Sequence, residues 1–247
     1  MNLNIFANPD ALHEAAAQRI VHLLRQKPDA VLGLATGGTP VGIYRALVAA
    51  VRRGEVTFAR VTTFNLDEYV GLPPDHPESY RFYMDHHLFR HIDIPPEQTH
   101  IPDGNAADLE RECERYERLL QDAGRIDLML LGLGHNGHIG FNEPGQVLHS
   151  KTHVAVLHPQ TRKANARFFR SPDEVPTRAI TMGLGSIFKA ETILLVVKGA
   201  DKADIVHRAL TGPITTECPA SLLQIHPRLV VMLDEGAAAR FMQTMAG

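Results

Sequence analysis

The chain has 247 residues, of which 44% are hydrophobic and 21% are charged, and its formal net charge is -3. A chain of this length can form one domain with a full hydrophobic core, and its slight negative charge argues against a nucleic-acid partner. Neither a secretion signal nor an apolar run long enough to cross a bilayer is present, so we expect a cytoplasmic protein without a membrane partner. Its two cysteines, Cys113 and Cys218, are then expected to be reduced thiols.

Short apolar runs alternate with longer amphipathic segments along the whole chain. The predicted order is strand 3–7, helix 8–27, strand 30–35, helix 40–53, strand 60–65, helices 78–91 and 106–122, strands 127–131 and 152–157, helix 160–169, strands 179–182 and 192–197, helix 201–210, strand 229–233 and a helix from 236. This alternation predicts an α/β fold: one Rossmann-like domain over residues 1–247, with a parallel sheet covered by helices on both faces. Ligands of such sheets bind beyond the carboxyl ends of the strands.

The turn between strand 30–35 and helix 40–53 reads Ala-Thr-Gly-Gly-Thr-Pro over residues 35–40. Its glycines allow a ligand to approach the backbone, and Thr39 is a candidate N-cap residue ahead of Pro40. Free amide groups at a helix start favour an anion, although an ordinary strand-to-helix turn has the same pattern. The turn lacks the Gly-Lys-Ser/Thr ending of a Walker A loop. The candidate anion-binding residues are Thr36, Gly37, Gly38 and Thr39.

Two acidic residues, Asp67 and Glu68, follow strand 60–65. Because neighbouring side chains on an extended chain point in opposite directions, we expect only one of them to face the ligand crevice. A carboxylate there can act as a general base. The alternative is an acid that caps the next turn.

A glycine-rich loop, residues 132–145, follows strand 127–131 and contains a literal Gly-x-Gly-x-x-Gly. A dinucleotide site is excluded because glycines and a proline prevent a following helix, and no acid ends the next strand. His135, His138 and Glu143 resemble a zinc ligand set, but their spacing differs from His-Glu-x-x-His. Metal-free acid–base chemistry by His138, with Asn136 and Glu143 in support, is the favoured interpretation.

Two cations are candidates for holding an anion. Arg167 lies in helix 160–169, and Lys202 lies in the first turn of helix 201–210, where a cation opposes the helix dipole unless an anion binds. A solvent-exposed charge is the alternative for each residue.

Together these blocks resemble the glucosamine-6-phosphate deaminase family, in order and over nearly the whole chain. The matching stretches are residues 35–40, 65–72, 76–80, 137–144, 167–169 and 180–185. The resemblance implies that glucosamine 6-phosphate and water are converted to fructose 6-phosphate and ammonia, with no metal and no redox cofactor. The expected partner is therefore a small phosphosugar, and assembly into a homo-oligomer is left open.

The resemblance also implies a role for each candidate residue. His138 assists opening of the sugar ring with support from Asn136 and Glu143, and Asp67 moves the proton from C2 to C1. The phosphate-holding positions are Thr36, Gly37, Gly38, Thr39, Arg167 and Lys202.

Three features of this chain bear on the family pattern. Some members carry aspartate where this chain has Asn136, so we expect the amide to orient by hydrogen bonding. Some members are activated by an N-acetylated sugar phosphate through basic residues after the loop; residues 152–156 carry little fixed positive charge, so no activation is expected. Residues 158–176 resemble a mobile lid.

Two other functions share this kind of fold. A sugar-phosphate lactonase would not need an enediol-forming base at Asp67, and release of ammonia separates the two reactions. A phosphosugar-sensing domain of a transcription regulator would need a DNA-binding module and would not need the set of Asp67, Asn136, His138 and Glu143.

Overall fold

The computed structural model describes residues 1–245, so the last two residues of the predicted domain lie outside the described part. Its strands are β1 (Asn2–Phe6), β2 (Val31–Leu34), β3 (Thr62–Asn65), β4 (Asp67–Tyr69), β5 (Thr99–His100), β6 (Leu128–Leu131), β7 (His153–Val156), β8 (Arg178–Thr181), β9 (Thr192–Val197) and β10 (Leu229–Asp234). Its α-helices are α1 (Pro9–Gln26), α2 (Pro40–Arg52), α3 (Tyr80–His87), α4 (Leu109–Asp122), α5 (Pro159–Asn165), α6 (Leu184–Phe188), α7 (Ala203–Thr211) and α8 (Glu235–Met245).

Seven strands form one parallel sheet in the order β1-β10-β9-β6-β2-β3-β5. Every residue of β2, β6 and β10 is buried, although alternate side chains point to opposite faces. Both faces of the sheet are therefore covered, as the predicted α/β fold requires.

Local sequence explains where the helices begin. The Asn8 side chain accepts a hydrogen bond from the Ala11 amide (2.9 Å) ahead of Pro9, so the predicted start of α1 is confirmed. Helix α2 begins at Pro40 as predicted, but Thr39 has helical backbone angles and its side chain makes no capping hydrogen bond. Thr39 therefore occupies the predicted N-cap position, although its side chain does not cap the helix.

The strand order reverses at β2. From β2 the chain continues to β3 and β5 on one side, and it then returns to place β6 on the other side. The turn after β2 and the glycine-rich loop after β6 therefore lie side by side. Such a switch point is where open parallel sheets bind their ligands.

A second, three-stranded antiparallel sheet, in the order β4-β8-β7, lies outside the main sheet. The predicted strands 152–157 and 179–182 exist as β7 and β8, but they do not extend the parallel sheet. The chain leaves β3 and passes directly into β4, where Asp67 is paired in register with Thr181. Only Leu66 separates the two strands, so the chain passes from the main sheet into the small sheet at Asp67.

Two predicted helices are shorter than expected or interrupted, and one strand of the main sheet was not predicted. Helix 78–91 is shorter, since Ser79 caps α3 and a separate 3-10 turn follows at Phe89–His91. Helix 160–169 is divided into α5 and a 3-10 turn at Ala166–Phe168. The two-residue strand β5 is too short to have a recognisable pattern.

Candidate active site

A cavity lies beyond the carboxyl ends of β2, β3, β6 and β9. Most of the predicted site residues line it, and they come from five separate stretches of the chain: Thr36, Gly37, Thr39, Asp67, Asn136, His138, Arg167 and Lys202. Gly38 belongs to the same turn but lies outside the lining, and Glu143 stands behind His138. The space enclosed by the lining residues, including the open mouth, is about 990 Å³.

Asp67 is the first residue of β4 and is only 6% exposed. Burial, together with the negative charge of Glu68, raises the pKa of Asp67 well above its usual range. Glu68 points the other way and accepts hydrogen bonds from backbone amides. The prediction that one of the two acids faces the crevice is confirmed, and the one in the cavity is Asp67.

The His138 ring is held through its Nδ1 atom. Asn136 Oδ1 lies 2.7 Å from this nitrogen, and Glu143 Oε2 lies 3.4 Å from it. Both neighbours are hydrogen-bond acceptors, so Nδ1 carries the proton of the neutral ring. Nε2 is therefore the nitrogen that can accept or donate a proton in the cavity.

Asn136 has a fixed orientation between its two neighbours. Its Nδ2 donates to Glu143 Oε2 (2.7 Å), while its Oδ1 accepts from the backbone amide of His138 (3.2 Å) and faces the His138 ring. An amide satisfies this arrangement because it supplies one donor and one acceptor. The geometry agrees with orientation by hydrogen bonding at this position.

Glu143 completes the network from behind. Burial favours its neutral form, but hydrogen bonding and charge from His138, with hydrogen bonds from Thr161 and Asn136, lower its pKa to about 2. Its other oxygen, Oε1, accepts from the backbone amide of His158 (3.1 Å). Glu143 thus links the glycine-rich loop to the start of segment 158–176.

Glycine is required at two bends of this loop. Gly137 has φ +90°, and a Cβ there would lie 2.7 Å from Cys218 Sγ. Gly140 has φ +57°, and a Cβ there would lie 2.9 Å from Thr181 Oγ1, beside Asp67. Other residues would meet backbone strain and a clash at both positions. The two glycines therefore allow His138 and Asp67 to share one cavity.

The opposite end of the cavity is cationic. Lys202 Nζ donates to the Leu133 carbonyl (2.6 Å) and lies 3.2 Å from His135 Nδ1. Burial, helped by the charge of Arg167 and opposed by Asp201, lowers the pKa of Lys202 to about 8. Lys202 ends a 3-10 turn immediately before α7, whereas the sequence predicted it in the first turn of the helix. Because β9 ends nearby, the side chain still reaches the cavity.

The sequence assigned no site role to several residues that line the cavity: Tyr80, His135, Gln160, Thr161 and Asn165. Tyr80 belongs to the matching stretch 76–80, which was a usable signal. Thr161 and Asn165 sit on the short helix α5, where nothing in the local pattern distinguishes them from surface residues.

The two histidines of the loop have different partners. His135 Nε2 pairs with Asp201 Oδ2 (2.7 Å), and His138 Nδ1 faces Asn136 and Glu143. Within residues 1–245, no cluster of three or more histidine, cysteine, aspartate or glutamate side chains has the arrangement of a metal site. None of the described helices is long and apolar enough to cross a membrane.

Comparison with known proteins gives matches over almost the entire chain. A family model described as glucosamine-6-phosphate isomerases/6-phosphogluconolactonase matches residues 7–231. A glucosamine-6-phosphate deaminase of Thermoanaerobacter pseudethanolicus is 49% identical over 239 residues, which cover 97% of this chain and 94% of that one. Another, of a Geobacillus species, is 51% identical over 237 residues, covering 96% and 94%.

Solved structures also resemble this chain over nearly its whole length. One, of a protein described as a monomeric glucosamine-6-phosphate deaminase, has a TM-score of 0.95 and 48% identity over 97% of this chain and all (100%) of that chain. A 6-phosphogluconolactonase from Trypanosoma brucei has a TM-score of 0.74 at 22% identity, covering 96% and 97% of the two chains. At that identity the likeness shows a shared fold alone.

Proposed function

This chain belongs to the family of glucosamine-6-phosphate isomerases and 6-phosphogluconolactonases, and we infer that it is a glucosamine-6-phosphate deaminase. It converts glucosamine 6-phosphate and water to fructose 6-phosphate and ammonia. One observation carries the choice of reaction: a buried carboxylate, Asp67, shares a cavity with a histidine whose Nδ1 is held by an amide and a carboxylate.

The phosphate group is proposed to bind at the cationic end. Lys202 and Arg167 supply positive charge, and the turn at residues 36–39 supplies backbone amides and threonine hydroxyls at the start of α2. Binding the phosphate there anchors the substrate away from the reacting carbons. That remote binding energy can be used to position C1 and C2.

His138 is proposed to open the sugar ring. Opening moves a proton from the C1 hydroxyl to the ring oxygen, and the C1–O5 bond breaks to leave an aldehyde. The ring nitrogen Nε2 can carry this proton, while Glu143 stabilises the imidazolium that forms in between. Asn136 keeps the ring in one orientation.

Asp67 is proposed to transfer the proton between carbons. Its carboxylate removes the proton from C2 of the open sugar while the C1 oxygen takes a proton from water, which forms an enediol-type intermediate that carries the amine at C2. The carboxyl then returns its proton at C1 and leaves an imine at C2. Water adds to this imine and ammonia leaves, which gives the C2 ketone of fructose 6-phosphate. One base on one face suffices, and a carboxylate whose pKa is raised by burial is a stronger base than an exposed aspartate.

The test is to incubate purified protein with glucosamine 6-phosphate, with and without a chelator, and to measure ammonia and fructose 6-phosphate. Equal amounts of both products, unaffected by the chelator, support a metal-free deaminase. Hydrolysis of 6-phosphogluconolactone without ammonia release would identify a lactonase instead. Binding of the phosphosugar without any product would favour a sensor.

Two further assignments belong to the proposal. Cytoplasmic action fits the two cysteines, which are buried and unpaired. The deaminase whose solved structure resembles this chain is described as monomeric, and gel filtration at assay concentration distinguishes a monomer from a homo-oligomer.

A further inference from the structure

Glu68 is a buried carboxylate that the proposed mechanism does not use. It is 4% exposed, and its Oε1 accepts hydrogen bonds from the amides of Tyr69 (2.8 Å) and Tyr80 (2.9 Å). Its Oε2 accepts from the amide of Arg81 (2.9 Å). Tyr80 and Arg81 are the first two residues of α3, whose amides have no acceptor within the helix. A side chain from β4 thus satisfies the start of α3.

Helix α3 extends from its contact with Glu68 to the turn at residues 36–39, which is part of the proposed phosphate site. Tyr80, the first residue of the helix, lines the cavity together with Thr36. One turn later, the Tyr83 hydroxyl donates to the Gly37 carbonyl (2.7 Å). The contacts therefore run without a break from the strand that bears Asp67 to the turn at residues 36–39.

We propose that Glu68 is a positioning residue of the deaminase, which holds the turn at residues 36–39 through α3 and acts by its charge on Asp67. The proposal rests on the function proposed above. Glu68 and Asp67 are adjacent on β4 with opposite orientations, so Glu68 touches α3 while Asp67 faces the substrate.

The charges at β4 agree with separate roles for Glu68 and Asp67. Burial is the main cause of the raised pKa of Asp67, and the negative charge of Glu68 is the second cause. Burial also raises the pKa of Glu68 to about 7, although the amide hydrogen bonds and the charge of Arg81 oppose the shift. Two carboxyls coupled in this way titrate as a pair.

The other titratable and charged groups that face this pair come from four elements and are Tyr69, Tyr80, Arg81, Tyr116 and His138. Burial raises the pKa of all three tyrosines, so they remain neutral between pH 5 and 9. The titration of the two carboxyls can therefore be distinguished from that of the three tyrosines.

The experiment measures kcat and KM for ammonia release between pH 5 and 9 in wild type, Glu68→Gln, Glu68→Asp and Tyr83→Phe. Gln removes the charge and presents a donor to the Arg81 amide, whereas Asp keeps the charge on a shorter side chain. Glu112→Gln is the matched control, because Glu112 is also buried and accepts from a backbone amide, that of Asp103 (2.8 Å). Circular dichroism verifies that each variant is folded.

A general base works only when ionised, so a raised pKa moves the acid limb of kcat/KM to higher pH. Removing the negative neighbour lowers the pKa of Asp67, and we expect the acid limb in Glu68→Gln to move about one unit to lower pH. Glu68→Asp should keep the wild-type limb. KM should rise about threefold to tenfold in Glu68→Gln, Glu68→Asp and Tyr83→Phe. Each variant loses a hydrogen bond that holds either the start of α3 or the turn at residues 36–39.

An acid limb that is unmoved in folded Glu68→Gln would overturn the electrostatic part. An unchanged KM in Tyr83→Phe would overturn the coupling through α3, and this variant decides the matter even if Glu68→Gln does not fold. Any shift of the limb in Glu112→Gln would also count against Glu68, because the effect would not be specific. Failure of the wild type to release ammonia would refute the proposed function itself, before any variant is compared.

Discussion

The two ends of the cavity differ in how their side chains are held. At the reacting end, Asn136 is 2.7 Å from both His138 and Glu143, and Asp67 is buried on β4. At the cationic end, where the phosphate is proposed to bind, Lys202 follows β9 and the exposed Arg167 belongs to segment 158–176. The side chains around Asp67 and His138 are thus fixed by burial and short contacts, whereas the cationic end includes an exposed side chain, Arg167. Proton transfer depends on preset geometry, whereas a flexible cation can adapt to a bound anion.

The largest expected effect is at the reacting end, in Asp67→Asn. Loss of the base should lower kcat about 1000-fold or more, with substrate binding retained, because the phosphate end is unchanged. Calorimetric binding and steady-state ammonia release measure the two quantities. Asp85→Asn, an exposed carboxylate on α3, serves as the control. Near wild-type turnover in Asp67→Asn would remove Asp67 from the role of base.

Glu143→Gln should lower kcat about 100-fold with little change in KM, since the His138 ring loses its charged partner but the substrate contacts remain. The pKa of Glu143 is about 2, so its charge persists down to about pH 3. The acid limb of the wild-type profile must therefore belong to another group. A wild-type limb near pH 2 that disappears in this variant would contradict the assignment.

Changes at the phosphate end should act on binding. Lys202→Ala should raise KM about tenfold or more at pH 7 with a smaller effect on kcat. Since the pKa of Lys202 is about 8, this side chain loses its charge as the pH rises through about 8. The wild-type KM should therefore increase at pH values above about 8. Lys202→Arg should abolish this rise. Lys198→Ala is the control, because Lys198 directly follows β9 and lies outside the lining that the described residues form. An unchanged KM in Lys202→Ala would exclude it from the phosphate site.

A smaller effect is expected in the segment 158–176. Lys163 and Arg170 are exposed there, and we expect trypsin to cleave at these residues about threefold more slowly when inorganic phosphate occupies the cationic end. Glucosamine without a phosphate should not protect. Equal cleavage rates with and without phosphate would count against a mobile lid.

No effect is expected from N-acetylglucosamine 6-phosphate as an activator. The strand after the glycine-rich loop, β7, carries little fixed positive charge to hold a second phosphate. Rate curves should be hyperbolic with and without this compound. A sigmoidal curve that becomes hyperbolic on its addition would show that a regulatory site exists.

The sequence by itself determined the alternation of strands and helices, the parallel sheet and the family. These depend on local hydrophobic periodicity and on short motifs, which act over a few residues. The positions of Asp67, His138 and Lys202 after strand ends were predictable for the same reason, because parallel strands bring their carboxyl ends together.

Other features arise only from contacts between distant parts of the chain. The pairing of Asp67 with Thr181 separates β4, β7 and β8 into their own antiparallel sheet, and apolar strands carry no local record of their partners. The same holds for Thr161 beside the Asn136 amide (3.5 Å) and for Glu68 at the start of α3. The pKa values of Asp67 and Lys202 likewise depend on burial and neighbouring charge, which only the tertiary structure decides.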